Sequence, residues 1–155
     1  MNIAILTFEG FNELDSFIAA SIMNRMKEFG WNVQITCPSE YVTSMNGVTV
    51  LAQQPLEFAN TADAVLFGSG LQTRNIAEDS SILSRLSLNP DKQLICGQCS
   101  GALLLSVLGL LNKVPACTDL TTKPWVIESG VEVLNQAFFA KGNIATAGGC
   151  LASKY

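Results

Sequence analysis

Apolar residues along this chain fall into two kinds of run. Residues 2–8, NIAILTF, are almost continuously apolar with β-branched members, the pattern of a strand covered on both faces. Gly10 breaks the run, and Asn12 stands where a helix N-cap belongs. From there to about residue 29, Leu14, Phe17, Ile18, Ser21, Ile22 and Met26 recur at helical spacing, so this face is expected to turn toward the core. Gly30 closes that helix. Residues 31–37 read as a second strand, stopped by Pro38. Residues 41–45 and 48–52 flank Asn46-Gly47, a strong hairpin signal.

The alternation continues downstream. Residues 62–67 form another strand-like run, followed by Gly68-Ser69-Gly70, and a weaker helical pattern covers residues 75–88. Residues 93–97 read as a strand and 100–111 as a helix. A short strand at 116–118 and a helix over 124–129, with Pro124 in its first turn, come next. Residues 131–134, 137–140 and 143–147 read as the last strands, and Gly148-Gly149 opens a helix of which about one turn remains. Such alternation predicts an α/β fold with a mostly parallel sheet, helices on both faces and one small hairpin. In these sheets sites form beyond the carboxyl ends of strands. That rule selects residues 8–15, 67–70, 97–101 and 117–122.

Composition narrows the classes. A chain of 155 residues suits one domain, 1–155, with its terminal helix cut short. The 48% hydrophobic and 14% charged content argues for a packed core and against disorder. The net charge of −4, with no basic run, argues against nucleic-acid binding. Residues 102–111 are the longest apolar stretch, well short of the ~18 residues of a membrane span. The first residues carry no basic leader, and the five cysteines are an odd number, so reduced thiols in the cytoplasm are expected.

The chemistry concentrates at Gly97-Gln98-Cys99-Ser100-Gly101. A glycine-flanked nucleophile between a strand and a helix is the pattern of a nucleophile elbow, here with Cys for Ser. At a helix start, free N–H groups and the helix dipole favour a thiolate. The N–H of Ser100, with that of Gly68 or Ser69, would bind an oxyanion. Cys96 and Cys99 also spell a C-x-x-C dithiol, but Cys96 falls inside the strand and points away. A zinc site would need more ligands, and histidine is absent from the chain. That absence also removes a Cys-His triad. Asp15, one turn into the first helix, is the acid placed to serve instead; its alternative role is in a capping box with Asn12. Cys37 and Cys150 read as buried structural thiols, and Phe11, Trp125 and Phe138 as core or pocket, with base rates favouring core for each.

Taken together, Gly10-Phe11-x-x-Leu14-Asp15, residues 63–66 with Gly68-Ser69-Gly70, Cys99-Ser100-Gly101-Ala102 with residues 108–111, and residues 142–148 resemble the ThiJ/PfpI superfamily of class I glutamine-amidotransferase-like folds. The resemblance implies a flavodoxin-like three-layer sandwich, usually a homodimer, with Cys99 as nucleophile and Asp15 as the buried acid. It carries the oxyanion donors to Gly68 or Ser69 and to Ser100. Asp119 stands where related triad-like sites place a histidine, which argues against protease and deglycase activity. The branch most resembled is isocyanide hydratase, which implies a small electrophilic substrate, a pocket lined by Thr118, Asp119 and Thr121, and no cofactor or metal. Two other classes fit the same motifs: a cysteine redox sensor, and a ligand-sensing domain related to transcription regulators.

Overall fold

The computed structural model describes residues 1–151. Its centre is a seven-stranded sheet built from β1 (Asn2–Leu6), β2 (Asn32–Cys37), β5 (Gln54–Pro55), β6 (Ala64–Phe67), β7 (Leu94–Gln98), β8 (Phe138–Lys141) and β9 (Ile144–Ala147). The order is β5-β2-β1-β6-β7-β9-β8, and every pairing is parallel except β8 with β9. The expected hairpin forms a separate antiparallel pair, β3 (Tyr41–Thr43) with β4 (Thr49–Leu51). The α/β sandwich expected from the alternation is therefore the observed fold.

Helices cover the two faces unequally. On one face α2 (Thr73–Glu78), α4 (Gly101–Val107) and α5 (Lys123–Glu128) enclose the larger core, which includes Leu6, Val65, Phe67, Ile95, Leu104 and Val126. On the other lies the first helix, where Ala19 packs on Ile3, Ile5 and Val33. This helix is composite: a π-helical turn over Leu14–Ile18, α1 over Ala19–Met23 and a 3-10 segment over Asn24–Phe29.

Several elements depart from the sequence pattern. The first helix turns Asp15, Ser16 and Ala19 inward, whereas Leu14, Phe17, Ile18, Ile22 and Met26 are all at least 36% exposed. Hydrogen bonding decides this. Ser16 Oγ is hydrogen-bonded to Thr7 Oγ1 (3.0 Å) and Asp15 accepts from Ser69 Oγ, while the small Ala19 permits close approach to the sheet. The second expected helix is broken in two by Asp79, whose Oδ1 accepts the Ser81 N–H and starts α3 (Ser80–Leu83). The expected strands at 116–118 and 131–134 reduce to one bridge, Ala116 with Val133. Strand β5 and a 3-10 turn over Leu56–Thr61 had no periodic signal. The terminal helix expected after Gly149 begins as a turn at Cys150 and Leu151; its remainder lies outside the described residues.

Candidate active site

Strand register assembles the site. Leu6 pairs with Phe67, Phe67 with Gly97, and Gln98 with Ala147. The segments after β1, β6, β7 and β9 therefore leave the sheet at one end, where the chain order switches direction. Between β7 and α4, Cys99 takes a left-handed backbone conformation, φ +52°. A non-glycine residue holds such a conformation only where its surroundings impose it. The restraints are visible: Cys99 N–H donates to Ala147 O (2.8 Å) and Thr118 Oγ1 donates to Cys99 O (2.8 Å). Gly101 lets α4 leave the strand at once, because a Cβ there would collide with the Phe67 carbonyl oxygen. The elbow inferred from the motif is thus built as its chemistry requires.

Around Cys99 stand three polar groups from distant segments. Its Sγ donates to Asp119 Oδ2 (3.3 Å). Asp119 Oδ1 meanwhile accepts the N–H groups of Thr121 (2.9 Å) and Thr122 (3.0 Å). Asp119 therefore caps the α5 approach with one oxygen and meets the thiol with the other. Asp15 is fully buried, and its ligating oxygen lies within 4.8 Å of the sulfurs of Cys99 and Cys150. It does not form the capping box: Asn12 Oδ1 caps the helix start by accepting Leu14 N–H (3.1 Å), but Asn12 N–H donates to Ser69 O (2.8 Å) and not to Asp15. The third neighbour is Cys150, whose Sγ is 3.9 Å from Cys99 Sγ and accepts from Asn12 Nδ2 (2.9 Å).

Cys150 corrects the expectation of an inert structural thiol. No local pattern marks it, since it meets Cys99 only through the β7–β9 pairing. Cys96 behaves as expected and opens into an apolar hollow on the opposite face, lined also by Ile22, Met23 and Phe138. Of the three aromatics left between core and pocket, Trp125 lines the site cavity, Phe11 is core, and Phe138 is 41% exposed. Asp119 and Thr121 line that cavity of about 230 Å³, together with Ser69, Ser100 and Arg74. Thr118 is not on its wall; its hydroxyl supports the elbow backbone instead. Arg74 lies over the Trp125 ring, 4.9 Å from its centre.

Two further expectations change. Gly68 N–H donates to Leu6 O (3.3 Å) and is spent on the sheet, whereas Ser69 and Ser100 line the cavity. Ser100 is the N-cap of α4, where first-turn N–H groups lack intrahelical acceptors. The thiol also does not rest as a thiolate. Burial pushes Cys99 well up, and the charges of Asp119, Cys150 and Asp15 add to that. Two full carboxylates outweigh the partial charge of a short helix. Burial raises the Asp119 carboxyl, but hydrogen bonds from Thr122, Cys99 and Thr121 outweigh it and hold the group below its usual value. The proton thus sits on sulfur, aimed at a carboxylate. A cation bound by Asp15, Cys99 and Cys150 would require the Cys99 thiolate that burial disfavours.

A parallel sandwich with a strained cysteine elbow facing carboxylates defines a class of cysteine-centred α/β proteins. The chain belongs to the DJ-1/PfpI family, whose model matches residues 1–154. No curated protein sequence matches it. Among solved structures, a ThiJ/PfpI domain protein from Brachyspira murdochii superposes with a TM-score of 0.83 at 19% identity, covering 99% of this chain and 90% of its own. Schizosaccharomyces pombe DJ-1 gives 0.79 at 15% identity, with 99% and 86% covered. Drosophila melanogaster DJ-1beta gives 0.79 at 21% identity, with 98% and 83% covered. These likenesses establish the fold.

No helix among the described residues is long and apolar enough to cross a membrane.

Proposed function

We propose that the protein is a cysteine-dependent enzyme that hydrates a small electrophile, of the isocyanide hydratase type. The observation that carries this reading is the Cys99 S–H···Asp119 contact at 3.3 Å, with buried Asp15 beside it, in a chain that has no histidine. Asp119 accepts the thiol proton as sulfur attacks the terminal isocyanide carbon. Asp119, now carrying that proton, passes it to the carbon, giving an N-substituted thioformimidate on Cys99. Water adds across its C=N bond; as the resulting hydroxyl gives up its proton the C–S bond breaks, an N-substituted formamide leaves, and that proton restores the Cys99 thiol. Deprotonation coupled to attack suits a thiol whose burial opposes a standing thiolate. The Asp15 carboxylate, held by Ser69, orients the attacking water and takes its proton, and the N–H groups of Ser69 and Ser100 face the polar intermediate.

The direct test is a panel of alkyl and aryl isocyanides followed by formamide formation. Wild type gives product, and Cys99→Ala gives none. A covalent adduct of wild type trapped at Cys99 by acid quench would identify the intermediate. Formamide production unchanged in Cys99→Ala would refute the assignment, as would no turnover of any isocyanide in the panel by folded wild type.

A further inference from the structure

Of the five cysteines, two have sulfurs in the same cavity. The C-x-x-C spacing pairs Cys96 with Cys99, yet the fold puts Cys96 on the opposite side of the sheet. Cys37 and Cys117 are buried elsewhere. Cys150 instead brings its Sγ to 3.9 Å from Cys99 Sγ. We propose that Cys99 and Cys150 form a dithiol that reduces a small hydroperoxide, with Cys99 oxidised first and Cys150 the resolving thiol. This uses the nucleophile assigned above but none of the addition chemistry, so the two readings fail separately.

The placement of Cys150 is built by backbone. Ala147 O accepts the Cys99 N–H, fixing the end of β9 against the elbow. Gly148 follows where a Cβ would sit 3.1 Å from Thr118 O, and Gly149 takes φ +73°. This turn delivers Cys150 to the cavity. Asn12 then holds its sulfur by an Nδ2–H bond of 2.9 Å, and Asn12 is itself tied to Leu14 and Ser69. A disulfide needs ~2.05 Å between sulfurs, so the pair must close by about 1.9 Å from its 3.9 Å separation.

The chemistry balances within the site. Asp119 Oδ2 takes the Cys99 proton, and the thiolate lone pair attacks the terminal oxygen of ROOH. An S–O bond forms, the O–O bond breaks, and the alkoxide leaves with the proton from Asp119 as ROH. Cys99 is now a sulfenic acid. Cys150 sulfur attacks the sulfenic sulfur, the S–S bond forms, and hydroxide leaves with the Cys150 proton as water. Two thiols and ROOH become one disulfide, ROH and water. The sulfur pair is oxidised by two electrons and the peroxide reduced by two. Closing the disulfide also keeps Cys99 from further oxidation to sulfinic acid.

The test treats the reduced full-length protein with tert-butyl hydroperoxide, then alkylates and digests it without reductant for mass spectrometry. The expected product is a peptide cross-linked between Cys99 and Cys150. Thiols titrated in denaturant fall from five to three, given five cysteines in the chain, and dithiothreitol restores them. In Cys150→Ser the cross-link is absent, and Cys99 accumulates sulfinic acid at least about tenfold faster than in wild type. If that variant does not fold, Cys96→Ser carries the test, because it must retain the cross-link. Three results overturn the proposal: a wild-type cross-link through Cys96, no wild-type cross-link at all, or equal sulfinic acid accumulation in wild type and folded Cys150→Ser.

Discussion

Replacing Asp119 with asparagine separates the two roles of that side chain. An asparagine oxygen still accepts the N–H groups of Thr121 and Thr122, so the loop keeps its geometry. What disappears is a negative charge 3.3 Å from the Cys99 sulfur. With an effective dielectric of about 20, two unit charges at that 3.3 Å separation repel by roughly 5 kcal/mol. Asp119 is half-buried, and solvent screening discounts this to on the order of 1.5–3 kcal/mol, or one to two pH units. The Cys99 thiol of Asp119→Asn is therefore expected to ionise at lower pH than in wild type. Iodoacetamide labelling of Cys99 at pH 7, followed by peptide mass spectrometry, should rise about 10- to 100-fold, since the thiolate is the reacting form. Turnover moves the other way, because the proton acceptor is gone. Faster labelling with slower catalysis is the signature of a carboxylate that represses the resting thiolate and accepts its proton during attack. Labelling that is unchanged or slower in the folded variant would refute the electrostatic argument, and with it the account of why the resting thiol is protonated.

Other perturbations follow from the same geometry. Asp15→Asn should lower turnover by about 100-fold or more while shifting the melting temperature little, because an amide retains a bond to Ser69; kcat and thermal melts check this. Burial raises the Cys37 thiol to about 11, so the folded chain holds a proton that the unfolded chain, with its ordinary value of 9.0, releases first. That contribution to stability is complete below pH 9.0 and is lost as pH rises toward about 11, at up to about 1.4 kcal/mol per pH unit. Urea melts across this range should show the decline, less steeply in Cys37→Ala. Gly101→Ala drives a methyl group into the Phe67 carbonyl oxygen and should cost about 1–3 kcal/mol in urea unfolding, with loss of activity through displacement of the elbow.

Local pattern determined a large part of this protein. Continuous apolar runs marked β1, β6 and β7 because strands buried on both faces need no alternation. The glycines around Cys99 marked the elbow, because only a residue without a side chain fits where α4 meets the Phe67 carbonyl. The missing histidine excluded a Cys-His triad on composition. Helix orientation was not legible in the same way. Periodicity pointed Leu14, Phe17 and Ile22 inward, but hydrogen bonds of Asp15 and Ser16 to residues after β1 and β6 turned the helix round.

The position of Cys99 at the elbow was thus written locally, and its environment was not. Asp119 and Cys150 lie 20 and 51 residues along the chain from Cys99; the β7–β9 register brings Cys150 to its sulfur, and the Thr118 hydroxyl bond to Cys99 O holds the Asp119 loop there. The protonation of that sulfur is not legible in the sequence for the same reason. A helix N-terminus is visible in a motif and favours a thiolate, whereas burial and converging carboxylates exist only once the sheet has formed. Chain sequence specified which thiol sits at the elbow. Packing decided which carboxylate stands against it and which second thiol lies within reach, because both depend on through-space distances that no spacing along the chain encodes.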